Sequence, residues 1–273
     1  MASGEFDLSG RVAIVTGGGT GLGKEIAIAL AEAGADVAVA ARRLEPLRQT
    51  AEEIEKLGRK SLVIAADVTQ SREVDKLVET TLTELGTIDI LVNNAGIAKG
   101  IDALTFDSMT KTIAPLWEIT DEMWRQSMEV NLNSVFFCTR AVARHMAERK
   151  RGKIINMASG AGIRAVKGNY TYCTSKAGVI HFTRVAALTL AEYNIQVNSI
   201  APVFLLTLDV PQELVSRREK YVPFGRAGRP EEIGGLAVYL ASDASDYATG
   251  GLFVIDGAGL VTYAPSGYAP NIH

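Results

Sequence analysis

Apolar residues follow two alternating rhythms along this chain. Short runs rich in β-branched residues, Val12 to Val15 and Val37 to Ala41, flank a stretch whose apolar positions Ile26, Ala27 and Leu30 share one helical face, and Gly34 ends that helix. The alternation continues with a helix near Pro46 to Leu57, a strand at Leu62 to Ala66, a helix near Arg72 to Leu85 and a strand at Ile88 to Val92. After a longer irregular stretch come a helix from about Asp121 to Glu148, a strand at Lys153 to Met157, a helix from about Tyr172 to Tyr193 and a strand at Ile195 to Ile200. A polar, proline-bounded segment from Pro202 to Pro230 leads to a helix at Glu231 to Leu240 and a last apolar run at Leu252 to Ile255. Strands that are nearly continuous apolar runs, alternating with helices, predict an α/β fold with a seven-stranded parallel sheet, doubly wound with helices on both faces. No linker or internal repeat divides the chain. The expectation is a single domain over 1–273, with a core at about 8–259 and a C-terminal tail at 260–273. Ligands of such sheets sit beyond the carboxyl ends of the strands, so the loops at Thr16, Ala41, Asp67, Asn93, Ser159 and Pro202 are expected to meet at one cleft.

The first of these loops reads Thr16-Gly17-Gly18-Gly19-Thr20-Gly21-Leu22-Gly23, between a strand and a helix. Glycines there permit φ > 0 and close backbone approach, and the helix N-terminus presents unpaired N–H groups to negative charge. Gly17, Gly19, Thr20, Gly21, Leu22 and Gly23 are therefore candidate contacts to a diphosphate, in a Rossmann-type arrangement. The G-x-G-x-x-G fingerprint is out of register, with Leu22 or Lys24 at the third glycine. A P-loop comes closer through Gly18, Gly23 and Lys24, but Glu25 stands where a Ser or Thr would bind magnesium, and a carboxylate facing phosphates is repulsive. A nucleotide hydrolase is discounted on that ground. The second strand ends Ala40-Ala41-Arg42-Arg43, without the acidic residue that holds a ribose 2′-hydroxyl. Two guanidiniums at that turn favour a 2′-phosphate, hence NADP over NAD. Either arginine also reads as a solvated surface charge.

Tyr172 and Lys176 are four residues apart, so they share a helical face and their heads can meet. A tyrosine near pKa ~10 is a poor base at neutral pH. A neighbouring ammonium favours the phenolate and makes the pair a usable proton shuttle. Ser159, at the carboxyl end of the fifth strand, can donate to a substrate carbonyl oxygen while Tyr172 protonates it.

The set T-G-x-x-x-G-x-G at 16 to 23, Asn93-Asn94-Ala95-Gly96, and Ser159 with Tyr172 and Lys176 resembles the short-chain dehydrogenase/reductase family from about Leu8 to Gly259. The resemblance implies Tyr172 as acid/base, Lys176 promoting its ionisation and binding the nicotinamide ribose, and Ser159 orienting the substrate oxygen. It implies that Asn131 holds a water of the proton relay, that Asp67 and Val68 touch the adenine, and that Asn93 lies beside the adenosine ribose. Ala95, Gly96, Pro202, Leu205 and Thr207 join the cofactor contacts on the same basis. Each has an ordinary alternative: Asn93 and Asn94 as turn residues, Asp67 beside a helix N-cap, Asn131 as a polar surface position within a helix. The stretch from Asn194 to Gly250 is similar to gluconate 5-dehydrogenase-like and 3-oxoacyl-carrier-protein reductase-like members. The implied activity is hydride transfer between NADP and a ketone or secondary alcohol, on a sugar acid, polyol or other small carbonyl compound. A 3-oxoacyl thioester is the alternative substrate, and a dinucleotide-binding sensor or scaffold the non-enzymatic alternative. A homotetramer or homodimer, packed through the helices of Asn131 and Tyr172, is also implied.

The chain departs from the family pattern after the sixth strand, where Val203 replaces the glycine of a Pro-Gly turn in Pro202-Val203-Phe204-Leu205-Leu206-Thr207. A position that commonly takes φ > 0 is thus expected to accept a β-branched residue. The stretch Ala98 to Leu116 reads as a lid, a pocket wall, a surface insertion or an oligomer contact. Phe204 to Leu208 with Pro211 to Tyr221 resembles the substrate-binding loop, and Leu205, Leu206 and Leu208 make it partly apolar.

Composition narrows the partners. Of 273 residues 47% are hydrophobic, and 28 basic against 31 acidic residues leave a net charge of −3, with no basic footprint for nucleic acid or an anionic membrane. Cys138 and Cys173 are too few for a disulfide framework, there is no basic-then-apolar leader at the start, and no 18-residue apolar run occurs. A cytoplasmic location is expected. His145, His181 and His273 share no ligand spacing, so no metal is expected.

Overall fold

In the computed structural model the described residues are 4–97, 115–206 and 212–261. Thr207, Leu208, Pro211, most of the 98–116 stretch and the tail from 262 lie outside them. Seven strands form one sheet: Val12–Thr16 (β1), Asp36–Ala41 (β2), Ser61–Ala65 (β3), Ile90–Asn93 (β4), Gly152–Met157 (β5), Ile195–Pro202 (β6) and Leu252–Ile255 (β7). Every pairing is parallel, in the order β3-β2-β1-β4-β5-β6-β7. The helices are Gly21–Glu32 (α1), Leu44–Lys56 (α2), Ser71–Leu85 (α3), Asp121–Met128 (α4), Ser134–Arg149 (α5), Tyr170–Leu190 (α6), Gln212–Glu219 (α7) and Gly234–Ala241 (α8).

The period-two alternation of each strand explains why both faces are covered. Ala13 and Val15 of β1, with Val37 and Val39 of β2, point to a layer built on Ile26 and Leu30 of α1, Leu47 and Ile54 of α2 and Leu240 of α8. Ile14, Ala38 and Ala40 point the other way, onto Leu77 of α3, Val142 and Met146 of α5 and Ala186 of α6. Successive side chains of one strand thus serve two separate cores, which is why polar residues are scarce within β1 and β2. The edge strands β3 and β7 are only partly buried, whereas β1, β4 and β5 are buried throughout. Gly34, at φ +108° just beyond α1, lies where a Cβ would press on Ser9, so the turn into β2 needs glycine.

One predicted element is remodelled. The helix expected from Asp121 to Glu148 is two helices joined by a π turn at Glu129–Asn133, and that wider turn carries Asn131. The polar segment between Pro202 and Pro230 contains α7. Strand order reverses between β1 and β4, so the loops following these two strands diverge and open a crevice. Among the described residues no helix is long and apolar enough to cross a membrane.

Candidate active site

The crevice is built outward from a clasp between β1 and β4. Thr16 Oγ1 donates to Val92 O (3.2 Å) and accepts from the N–H groups of Asn94 (3.0 Å) and Ala95 (3.1 Å). Asn94 Nδ2 in turn donates to Thr16 O (3.0 Å) and Gly17 O (3.2 Å). Asn94, which the sequence pattern marked only as part of a motif, therefore supports the glycine loop from beneath. The signal was its place in Asn93-Asn94-Ala95-Gly96, although no spacing argument distinguishes it from Asn93.

The glycine loop is tight at every glycine that bears on its shape. Gly17 and Gly21 take φ of +68° and +54°. A Cβ on Gly18 would press on Val39 and Val15 O, one on Gly19 on Pro46, and one on Gly23 would overlap Asn94 Nδ2 and Gly17 O. Thr20 occupies the N-cap of α1 without a side-chain capping bond, so the first-turn N–H groups of that twelve-residue helix remain open to an anion. Leu22, also in this first turn, is half-buried against the core beneath. A dinucleotide diphosphate fits this loop by its backbone shape and dipole.

Further along the crevice, Arg42 and Arg43 are exposed at the carboxyl end of β2, and Arg43 is the N-cap of α2 without a capping bond. Neither is in an ion pair among the described residues. Asp67 Oδ1 accepts from Thr69 N (3.0 Å) and Thr69 Oγ1 (2.8 Å), so the aspartate shapes its own turn ahead of α3, with Val68 buried beside it. Asn93, expected beside the adenosine ribose, turns its side chain away from the crevice. Its side chain is 3% exposed and turned into the protein, where Nδ2 donates to Asn156 Oδ1 (2.8 Å) and Thr139 Oγ1 (3.1 Å). Asn156 continues the network to Thr183 (2.9 Å). The side chain belongs to a buried polar tie between β4, β5, α5 and α6, leaving only its main chain near the crevice.

At the other side of the crevice Lys176 is 5% exposed, its Nζ donating to Met157 O (2.7 Å) and lying 5.7 Å from the centre of the Tyr172 ring. Burial pushes the Lys176 ammonium down to about 8 from its usual value. Ser159 lies two residues past the end of β5 and accepts at Oγ from Ala161 N (3.2 Å), capping a single turn at Gly160–Gly162. Asn131 is fully buried, not the surface position that was one alternative. Its Oδ1 accepts from Ile97 N (2.8 Å), and its Nδ2 donates to Ile97 O (3.0 Å), Ser127 Oγ (3.3 Å) and Ser175 Oγ (3.3 Å). Ser175 Oγ donates to Tyr172 O (2.8 Å), so Asn131 braces both the loop after β4 and the first turns of α6. Gly96 lies between: a Cβ there would come within 3.2 Å of Asn131 Oδ1 and 3.6 Å of Lys176 Nζ. Ala95, the neighbour held by Thr16, completes this loop.

The turn after β6 corrects an expectation. Val203 does not take the left-handed conformation; its N–H donates to Ile255 O (2.9 Å) and prolongs the pairing with β7, and the positive φ falls on Phe204 at +54°. Pro202 ends β6, while Leu205 forms a bridge with Gly228 and is half-buried against the core. The strand bond at Val203 displaces the bend by one residue, which removes the steric conflict expected for a β-branched side chain.

A family model described as short chain dehydrogenase matches residues 11–216. This chain belongs to the short-chain dehydrogenase family. It is 38% identical over 265 residues to a 2-dehydro-3-deoxy-D-gluconate 5-dehydrogenase of Escherichia coli strain K12, covering 93% of this chain and 97% of that protein. It is also 38% identical over 259 residues to a 3-oxoacyl-acyl-carrier-protein reductase of Synechocystis, covering 94% and 99%. Among solved structures, a putative short-chain alcohol dehydrogenase from Sinorhizobium meliloti superposes with a TM-score of 0.85 at 37% identity, covering 94% of this chain and 99% of that one. The short-chain dehydrogenase fold is thereby shared along nearly the whole chain.

The glycine loop yields a test in which two effects oppose. Gly23→Ala gains about 1 kcal/mol of helix propensity, but overpacking against backbone costs about 1–3 kcal/mol. The contact at Gly17 O is with main chain that cannot swing away, so the loss wins. Urea unfolding is expected to show a less stable protein, and fluorescence titration a dinucleotide affinity reduced at least tenfold by about 1.4 kcal/mol or more. Wild-type affinity in the variant would mean that Gly23 does not keep the loop in shape.

Proposed function

We propose that this protein is an NADP-preferring oxidoreductase that interconverts a ketone and a secondary alcohol, with Tyr172 exchanging the hydroxyl proton. The observation that carries the reading is the buried Lys176 ammonium 5.7 Å from the centre of the Tyr172 ring, held by Met157 O at the end of β5. The nicotinamide supplies the hydride when bound. Ser159 Oγ orients the substrate oxygen, and the Lys176 charge stabilises the phenolate form of Tyr172 through a low-dielectric interior. Gly17, Gly19, Thr20, Gly21, Leu22 and Gly23 would hold the diphosphate, and Arg42, backed by Arg43, the 2′-phosphate. Asp67, Val68 and the main chain of Asn93, Ala95 and Gly96 would line the adenosine side, with Pro202, Leu205 and Thr207 toward the nicotinamide. Asn131 serves as a positioning residue for a proton relay that ends at Lys176.

The substrate we favour is a small polar carbonyl compound of the sugar-acid or polyol kind, supported by the similarity to the gluconate-type dehydrogenase. The equal identity to the acyl-carrier-protein reductase supports a 3-oxoacyl thioester as the second reading. A single domain would carry both cofactor and substrate sites. Cys138, buried and with its thiol pushed up to about 12, and Cys173 form no disulfide with each other, which favours a reducing, cytoplasmic setting. Exposed Phe136 on α5 and Val185 and Leu188 on α6 favour self-association through these helices.

Three measurements test these statements. Titration with NADPH and NADH is expected to show tighter NADPH binding, lost in Arg42→Ala; equal affinity for the two, or no binding, overturns the cofactor assignment. For reduction, kcat/KM is expected to be flat below pH 8 and to fall above it as Lys176 loses its proton, while Tyr172→Phe lowers kcat by about 10²–10⁴-fold. An unchanged rate in Tyr172→Phe would sink the acid/base role, and binding without turnover in the wild type would leave a sensor. Gel filtration at micromolar concentration is expected to show a dimer or tetramer, and a monomer would exclude the proposed packing.

A further inference from the structure

Two apolar side chains converge on the residue that follows Ser159. A Cβ placed on Gly160 would overlap Val203 Cγ2, and it would stand 3.5 Å from both Val203 Cβ and Leu260 Cδ1. Neither neighbour is loosely held. Val203 is tied to β7 through its bond to Ile255 O, and Leu260 N donates to Asp256 Oδ2 (2.7 Å) within a turn whose Ala258 N also donates to Asp256 Oδ1 (2.9 Å). Gly160 is one residue from Ser159 and sits in the turn that Ser159 caps. Val203 therefore occupies volume next to the hydroxyl that orients the substrate oxygen. It remains half-buried, with part of its surface turned outward.

From this packing we infer that Val203, seated over Gly160 with Leu260 behind it, is a specificity-determining residue. It forms the apolar end of the substrate site on the Ser159 side and limits the bulk of the carbonyl substituent that points there. The two residues are matched in volume: the Val203 side chain fills the space that a side chain at Gly160 would need. This inference rests on the oxidoreductase reading and refines which ketones it covers. A pocket end made of a methyl pair discriminates by size alone, because it offers no hydrogen bond to a substituent.

The test compares wild type, Val203→Gly and Val203→Ala with NADPH on 2-butanone, 3-methyl-2-butanone and 3,3-dimethyl-2-butanone, alongside NADPH affinity. Removing the Val203 side chain is expected to raise kcat/KM for the most branched ketone relative to 2-butanone about tenfold or more, with NADPH affinity unchanged. A uniform change across the three ketones, or a tenfold loss of NADPH affinity, would overturn the inference while leaving the enzyme reading intact. A wild type that reduces none of the three overturns the inference, and the enzyme reading then stands or falls with the Tyr172→Phe comparison. A second readout needs no turnover: Gly160→Ala is expected to lower Tm by about 5 °C in the wild-type background and by much less with Val203→Gly. Equal losses in both backgrounds would show that Val203 is not what Gly160 accommodates.

Discussion

The clasp of Thr16 with Asn94 is the constraint on which the rest of the site depends. A parallel sheet opens where its strand order reverses, and the two loops there have no ladder bonds to each other. The threonine hydroxyl and the asparagine amide supply that missing connection with five hydrogen bonds across β1 and β4. One loop is the glycine-rich turn ahead of α1, and the other runs past Gly96 to Ile97, which Asn131 holds. A single local tie therefore sets the distance between the place where a dinucleotide would anchor and the place where a proton would move.

On the proton side, positioning is achieved by a different device. The π turn at Glu129–Asn133 widens the helix at the point where Asn131 must reach both Ile97 and Ser175. An ideal helix has no spare residue for this, and a π turn is a recurrent solution at functional sites. The amide of Asn131 is fully engaged with protein partners, so it acts by rigidity on the loop and on the first turns of α6. Preorganisation of this kind fixes the first turns of α6, the helix that carries both Tyr172 and Lys176.

Much of this was legible in the chain. The strand positions and their faces follow from period-two apolar alternation, because buried parallel strands tolerate little else. The tight turn at 16–23 is readable because close backbone approach demands glycine, and the Tyr172–Lys176 contact follows from four-residue spacing on one helical face. What escaped was set by tertiary competition. Asn93 and Asn94 are chemically identical neighbours on an alternating strand end, and only the fold decides that one faces the interior and the other the glycine loop. The π turn leaves no local signature in Glu129 to Asn133. Val203 was misread in conformation because the bond to Ile255, remote in sequence, moves the bend to Phe204.

The buried lysine shows what the site costs the fold. A group whose folded value lies below its unfolded value binds fewer protons in the native state between the two. Stability from Lys176 is therefore lowest below pH about 8 and rises as pH climbs toward 10.5. At neutral pH the penalty is on the order of 3 kcal/mol, partly offset already by the bond to Met157 O. That is a sizeable fraction of a typical domain's total of about 5–15 kcal/mol. A neutral apolar side chain in the same slot would relieve it, and would also remove the charge that Lys176 places 5.7 Å from the Tyr172 ring. The compensating stability has to come from elsewhere, and the two cores on opposite faces of the sheet, filled from alternate residues of the same strands, are where the structure holds it.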